Sequence, residues 1–316
     1  MRYQSKFALI VLFALVLISA VGVAQQKGQY VPGQFGLNAG PLPDPGITYA
    51  NMTIHYNADS LRDANGDSVL LKGSTGFWAN ENYVTYVPEF KPFGAKLAIT
   101  TILPAASGSL TLPTFGVTAG GSGFADTFVQ PVTLGWSFAR ADVNIGYGFT
   151  APTGRYVAGA SDNVGSGYWG NNINSGTTFY LKKDKMLSAD FYGNWEIHGM
   201  KTGSNVTPGQ AFTDEWGLGQ TMLLTKDGSR MLQLGVIGYD QWQVTDNGGM
   251  LTPLISAALV PHYQVHAAGF QGNVLFPKKN TSLFFKLEPE YLARSRPKGQ
   301  TIVFGLAYTI KMPGTK

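Results

Sequence analysis

Apolar and polar residues alternate one for one along much of this chain, most cleanly from Thr301 to Ile310. There Ile302, Phe304, Leu306, Tyr308 and Ile310 interleave with Thr301, Val303, Gly305, Ala307 and Thr309. Successive side chains of a strand point to opposite faces, so such a segment has one bulky apolar face and one small or polar face. The pattern returns at Val143–Thr150, Leu187–His198 and Ser282–Tyr291. Twelve strands are predicted, at 47–58, 80–88, 95–104, 124–138, 143–150, 169–181, 186–198, 212–225, 230–244, 254–266, 281–292 and 301–311. The tenth is the weakest, because alternation is muddied between Ala267 and Phe276.

The connections fall into two classes in strict alternation. Phe90–Gly94, Ala139–Asp142, Lys182–Lys185, Lys226–Ser229 and Pro277–Asn280 are short. Asp59–Ala79, Ala105–Gly123, Ala151–Tyr168, Gly199–Ala211, Thr245–Pro253 and Ala293–Gln300 are long. Short periplasmic turns and longer outer loops on an even number of strands describe an antiparallel transmembrane β-barrel, closed so that the bilayer meets no unpaired edge. The expected fold is therefore all-β, a barrel of about twelve strands over 47–316, with both of its ends in the periplasm. Trp78, Trp169 and Trp242 fall near outer strand ends and Trp136 near an inner one, as aromatic girdles require.

Composition agrees with export and a membrane setting. Arg2 and Lys6 precede an apolar run from Phe7 to Val23, and Gly22-Val23-Ala24 offers a cleavage site, so residues 1–24 read as a signal peptide. Residues 25–46, rich in Gly, Pro and Gln without a sustained period, read as an irregular periplasmic arm. Charged residues make up 13% of the chain, about half the usual share in soluble domains, while 40 glycines and 13% aromatics accompany them. After the leader no apolar run approaches the length of a membrane helix. The net charge of +4, less the two carried by Arg2 and Lys6, leaves little to attract nucleic acid. With no cysteine there is no disulfide framework and no thiolate metal site.

Parity sorts the polar side chains, because Arg or Lys on the lipid face at mid-bilayer costs roughly 2–4 kcal/mol. In 186–198 it places Leu187, Ala189, Phe191, Trp195 and Ile197 outward and Ser188, Asp190, Tyr192, Asn194, Glu196 and His198 inward. In 281–292 Leu283, Phe285, Leu287 and Tyr291 face lipid, with Lys286, Glu288 and Glu290 in the lumen. The same rule turns Tyr49, Asn51, Thr53 and His55 inward. Glu196 and His198 are an acid and a base two residues apart on one face, the raw material of hydrolysis. No nucleophile motif accompanies them, so the pair reads as a lumen hydrogen bond and no enzymatic activity is expected. Asp63-Ala64-Asn65-Gly66-Asp67 spaces oxygens like a calcium loop but lacks the closing Glu, and reads as a turn. No metal or cofactor is expected.

Six short motifs occur in order: Leu42-Pro43-Asp44-Pro45-Gly46; Asp63-Ala64-Asn65-Gly66; Phe124-Ala125-Asp126 with Gln130-Pro131 and Leu134-Gly135-Trp136; Ala151-Pro152-Thr153-Gly154-Arg155-Tyr156; Gly238-Tyr239 with Gln243 and Asp246; and Arg296-Pro297-Lys298-Gly299. Together they resemble the outer-membrane family named for the meta pathway of phenol degradation and, more distantly, barrels that move fatty acids and aromatic hydrocarbons. The resemblance implies passive uptake of small hydrophobic or aromatic compounds, with lipid, lipopolysaccharide and the barrel assembly machinery as the other partners. Asp126, Trp136, Arg155 and Gln243 are the motif residues marked for ligand or strand-locking roles. One departure is the polar tail Lys311–Lys316 after Tyr308, where many barrels end on an aromatic residue. The rival expectation is a closed structural or adhesive barrel, and a more distant one an outer-membrane hydrolase.

Overall fold

The computed structural model describes residues 28–69, 73–113, 117–249 and 261–310. The signal peptide expected over 1–24 and the tail Lys311–Lys316 lie outside them. Within the described residues twelve long antiparallel strands form one barrel: β1 (Gly46–Arg62), β2 (Ser74–Val87), β3 (Lys96–Leu112), β6 (Thr127–Ser137), β7 (Ala141–Ala151), β8 (Gly170–Tyr180), β9 (Leu187–His198), β10 (Ala211–Leu223), β11 (Met231–Gln243), β12 (Gln264–Phe276), β13 (Thr281–Arg294) and β14 (Arg296–Ile310). Two short strands, β4 (Val117–Ala119) and β5 (Ser122–Phe124), pair the outward extension of β3. β1 pairs with β14 from Ile47–Ile310 to Arg62–Arg296, and β3 pairs with both β2 and β6. Every long strand thus has a neighbour on each side, and the backbone groups that lipid cannot solvate are bonded within the wall.

Two elements differ from the expectation. β12 begins at Gln264 rather than near 254, and most of the segment expected there lies outside the described residues. Its alternation is hidden by small residues, for its own parity holds from Val265 to Asn273; the bulge opposite His266/Ala267 lies on β13, where Tyr291 is the extra residue and the parity shifts. Gly269 is small for a reason: a Cβ there would lie 1.8 Å from the Leu287 carbonyl oxygen of β13. The expected long loop Ala293–Gln300 is a one-residue reversal at Ser295, held at φ 53°. Pro297 and Gly299, which read as loop residues, instead continue β14.

Wall orientation follows parity on most strands. The inward residues of β9 and β13 named above are buried, while Phe191, Trp195, Leu283 and Tyr291 are exposed on the outside. On the outer surface the rings of Trp195, Phe212, Trp242, His266 and Tyr291 follow one another at centroid spacings of 5.8, 6.1, 5.4 and 6.0 Å, a girdle at the outer interface.

β1 reverses the expectation. Its inward set is Thr48, Met52, Ile54, Tyr56 and Ala58, and Tyr49, Asn51, Thr53 and His55 point outward. Their polarity is absorbed across the strand pair. Asn51 Nδ2 donates to Asn80 Oδ1 (3.0 Å) and Asn82 Oδ1 (3.0 Å), Asn80 Nδ2 donates to Thr53 Oγ1 (3.0 Å), and the Tyr49 hydroxyl donates to Asn82 Oδ1 (2.7 Å). The His55 ring stacks on Trp78 at 4.0 Å. Amides bonded to each other carry most of the desolvation cost that an isolated amide would impose on lipid.

Candidate functional site

The lumen is occupied along one side by the chain's own arm. From Gly28 at the end with the long connections to Asp44 at the opposite end, the arm has no regular secondary structure, and its backbone groups are met by wall side chains. Glu196 Oε1 accepts from the Gln29 and Tyr30 amides (2.9 and 2.7 Å). Glu215 accepts from the Tyr30 hydroxyl (2.6 Å) and from the Gly33 and Phe35 amides (2.9 and 2.7 Å). Lys286 Nζ donates to the carbonyls of Gly33 (2.9 Å), Gln34 (2.8 Å) and Phe35. Below these, Gln271 accepts from Leu37 N, Asp190 Oδ1 from Asn38 N and Ala39 N, and Thr178 Oγ1 from Gly40 N. Asn144 Nδ2 donates to the Ala39 and Gly40 carbonyls.

Packing reinforces this grip. Phe35 stacks on Tyr192 at 3.8 Å, and Leu37 fills a notch left by the missing side chains of Gly217, Gly219 and Gly235. At Gly176 the backbones approach so closely that a Cβ would lie 2.0 Å from the Ala39 carbonyl oxygen. Lys96 Nζ closes the lower end, donating to the Leu42 and Pro43 carbonyls and pairing with Asp44 at 3.1 Å.

On the other side of the arm an open cavity of about 370 Å³ remains. Part of its wall is apolar, with Met52, Phe77, Ala79, Ile102, Ala106 and Phe128 from β1, β2, β3 and β6 and with Val31 and Phe35 of the arm opposite, and polar side chains of β6 to β9, among them Gln130, Asn144, Asn174 and Asn194, complete it. Leu42 and Pro43 form its floor, and Leu42 sits where a side chain at Gly135 would be. The roof is the 152–168 connection, through Val164, Ser166 and Tyr168. Asp126 fixes that roof: Oδ1 accepts from Gly154 N (2.9 Å), and Oδ2 accepts from Ser166 N (2.7 Å) and Ser166 Oγ (2.5 Å). Burial pushes the Asp126 carboxyl above its ordinary range, and the Ser166 and Gly154 donors oppose that rise. Gln29 Nε2 donates to Ser166 Oγ (2.7 Å), tying roof to arm.

Twelve of the residues singled out in the sequence thus separate into three groups. Asp190, Tyr192, Asn194, Glu196, His198, Lys286, Glu288 and Glu290 line the lumen, mostly behind the arm. Asp126 lies at the outer mouth as a brace. Tyr49, Asn51 and His55 face lipid, so their expected place in the lumen is corrected. His198 and Glu196 are 3.7 Å apart; Glu196 holds the arm, and His198 Nδ1 lies 2.9 Å from the Gly209 carbonyl. Asp63 Oδ1 accepts from the amides of Asn65 and Asp67, which makes that segment a turn closed on its own carboxylate.

Sequence reasoning missed several functional positions. Glu215 follows Asp214, so parity alone did not choose between them. Arg296 read as part of a loop, yet it is buried in the lumen with Nη2 3.2 Å from Glu290 Oε1. The same Glu290 accepts from Tyr56, Tyr239 and Gly299, a lock between β1, β11, β13 and β14. Glu81, flanked by Asn80 and Asn82, was assigned no role and lies on the cavity wall.

A family model described as "Putative MetA-pathway of phenol degradation" matches residues 58–306. No curated protein matches the chain in sequence. Among solved structures, the COG4313 outer membrane channel from Pseudomonas putida F1 shares the fold at 14% identity, with a TM-score of 0.65 over 89% of this chain and 100% of that one. The transport unit of the autotransporter AIDA-I from Escherichia coli gives 0.47 at 10% identity over 94% and 97%, and the CymD monoaromatic hydrocarbon channel 0.39 at 9% over 92% and 98%.

Proposed function

The chain belongs to this phenol-degradation family of outer-membrane barrels, and on that premise we propose that it is a channel for passive uptake of small hydrophobic or aromatic compounds. The observation that carries the reading is the roofed cavity beside the arm. Its volume of about 370 Å³ falls within the range of about 300–1,000 Å³ typical of small-molecule sites, and its lining sets apolar side chains such as Met52, Phe77, Ile102 and Phe128 against polar ones such as Gln130, Asn174 and Asn194. A twelve-stranded barrel is narrower than the 16–18 strands of water-filled porins, so a path of ligand size suits it better than an open pore. The Pseudomonas barrel of like fold is an outer membrane channel, which agrees with this use of the scaffold. In this reading solute collects at the aromatic outer rim, enters under the 152–168 roof, and leaves past Leu42 and Pro43 when the lower arm moves.

The test is entry of labelled phenol or toluene into liposomes carrying the refolded protein, with an unrelated closed barrel as control. Entry no faster than in the control sinks the proposal. Deleting residues 27–40 sharpens it: the arm as gate predicts faster flux, and unchanged flux removes the arm from the mechanism.

A closed structural barrel is the second reading, favoured by how completely Glu196, Glu215, Lys286 and Asp190 hold the arm. Single-channel recording separates the two, since the structural barrel stays silent with the arm present and shows no solute-dependent events.

A further inference from the structure

Glu81 is one of two carboxylates that line the cavity, and the other, Asp126, is taken up by the roof. The neighbours of Glu81 on the inner face of β2 are Ala79 and Tyr83, and its cross-strand partners are Met52 and Pro104. The residue is 6% exposed, and that remaining surface opens on the cavity. Tyr83 donates to Oε2 at 2.6 Å, and its hydroxyl also lies 2.8 Å from Gln34 Oε1 of the arm. By contrast Asp190, Glu196, Glu215 and Glu290 each accept two or more hydrogen bonds. No Lys, Arg or His side chain is among the described residues that line the cavity. A buried carboxyl group is costly unless its oxygens are bonded, and Glu81 brings one more acceptor than its neighbours satisfy.

We propose that Glu81 is a specificity-determining residue of the cavity, whose Oε1 accepts a hydrogen bond from the hydroxyl of a small neutral ring compound while Tyr83 holds Oε2. Apolar side chains take the ring, the acceptor takes the donor, and the absence of a cation among the described lining residues turns away ring carboxylates, whose charge would be desolvated without a counter-ion beside the carboxylate of Glu81. The inference rests on the uptake reading and adds a rule to it: neutral rings that carry a donor are preferred over rings of like size that do not.

Competition against labelled toluene on the refolded protein in detergent tests this, with phenol, anisole and benzoate as competitors. Anisole has the phenol ring with its donor blocked and is the more hydrophobic of the two. Phenol is expected to displace toluene at about ten-fold lower concentration than anisole, and benzoate not at all. Glu81→Leu should abolish the preference for phenol while toluene still binds, and Glu81→Gln, which keeps an acceptor, should retain most of it. The comparison of phenol with anisole on the unmodified protein stands even where the leucine variant fails to fold. If anisole competes as well as phenol, or if benzoate competes, the role given to Glu81 falls and the uptake reading survives. If toluene itself does not bind, both fall.

Discussion

The two sides of the lumen solve the same problem in opposite ways. On the side of β7 to β14 the wall is studded with buried polar groups, and an irregular arm lies against it as their partner. On the side of β1, β2, β3 and β6 the inner wall carries fewer groups bonded to the arm, which meets it at Gln34 and at Leu42, Pro43 and Asp44, and a cavity remains. Buried polar side chains must be matched one by one, and the arm's amides and carbonyls supply many of the matches. Where no arm backbone is within reach, Met52, Ile54, Phe77 and Ala79 take inward positions beside Glu81 and Tyr83, and Asn51, Thr53, Asn80 and Asn82 sit outside in a ladder of their own. One side is built to hold a peptide, the other to leave room.

Removing the central cation breaks the contrast most strongly. Lys286→Met strands the three arm carbonyls and leaves Glu215 and Glu288 without their positive neighbour, and breaking a buried charge set of this kind costs about 3–5 kcal/mol. The expected outcome is release of the arm, read as new protease cleavage within residues 28–44 while the barrel keeps its resistance to SDS. An arm that stays protected would show that packing, rather than polar matching, holds it.

Leu37→Ala tests that packing directly. It empties the notch over Gly217, Gly219 and Gly235, with an expected loss of about 2–3 kcal/mol in arm docking and a smaller rise in cleavage than Lys286→Met produces. Equal effects of the two substitutions would erase the distinction between a polar grip and an apolar one.

On the open side, Ala79→Phe fills the cavity at a position paired with Ile54 and Ala106. Solute flux should fall several-fold, with a stability change of about 1–3 kcal/mol from overpacking and no new cleavage of the arm. Flux that survives this change would place the path elsewhere.

The smallest effect belongs to the lipid-facing ladder. Asn80→Ala removes the partner of Asn51 and Thr53, with an expected loss of about 0.5–1.5 kcal/mol of stability, read as a lower urea midpoint of the refolded barrel, and unchanged flux. A change in flux would mean that this outer face communicates with the cavity.

Legibility in the sequence follows the same division. The inward and outward sets of β9, and of β13 up to Tyr291, are legible in the sequence, because runs of constant parity with charges on one face leave a single energetic choice, while the strand ends differ by one or two residues. β12 is misplaced in the sequence reading, because its alanines and its glycines, needed where backbones crowd, leave few side chains to carry the period. The hairpin at Ser295 was hidden by Pro297 and Gly299, which are common in loops yet here lie in β14. Asp126 was marked by its motif, but its partners Gly154 and Ser166 lie 28 and 40 positions away and became visible only as a brace.

The amino-acid sequence by itself determined that the chain makes a charge-poor antiparallel barrel with two unlike faces, because alternation is a local property of each strand. It did not determine which face of β1 looks inward, since that depends on what fills the lumen beside it. Tertiary structure decided that, by laying residues 28–44 along one side and leaving the other open. Hydrogen-bond matching between an arm without local pattern and side chains more than a hundred positions distant has no signature in the alternation of any one segment.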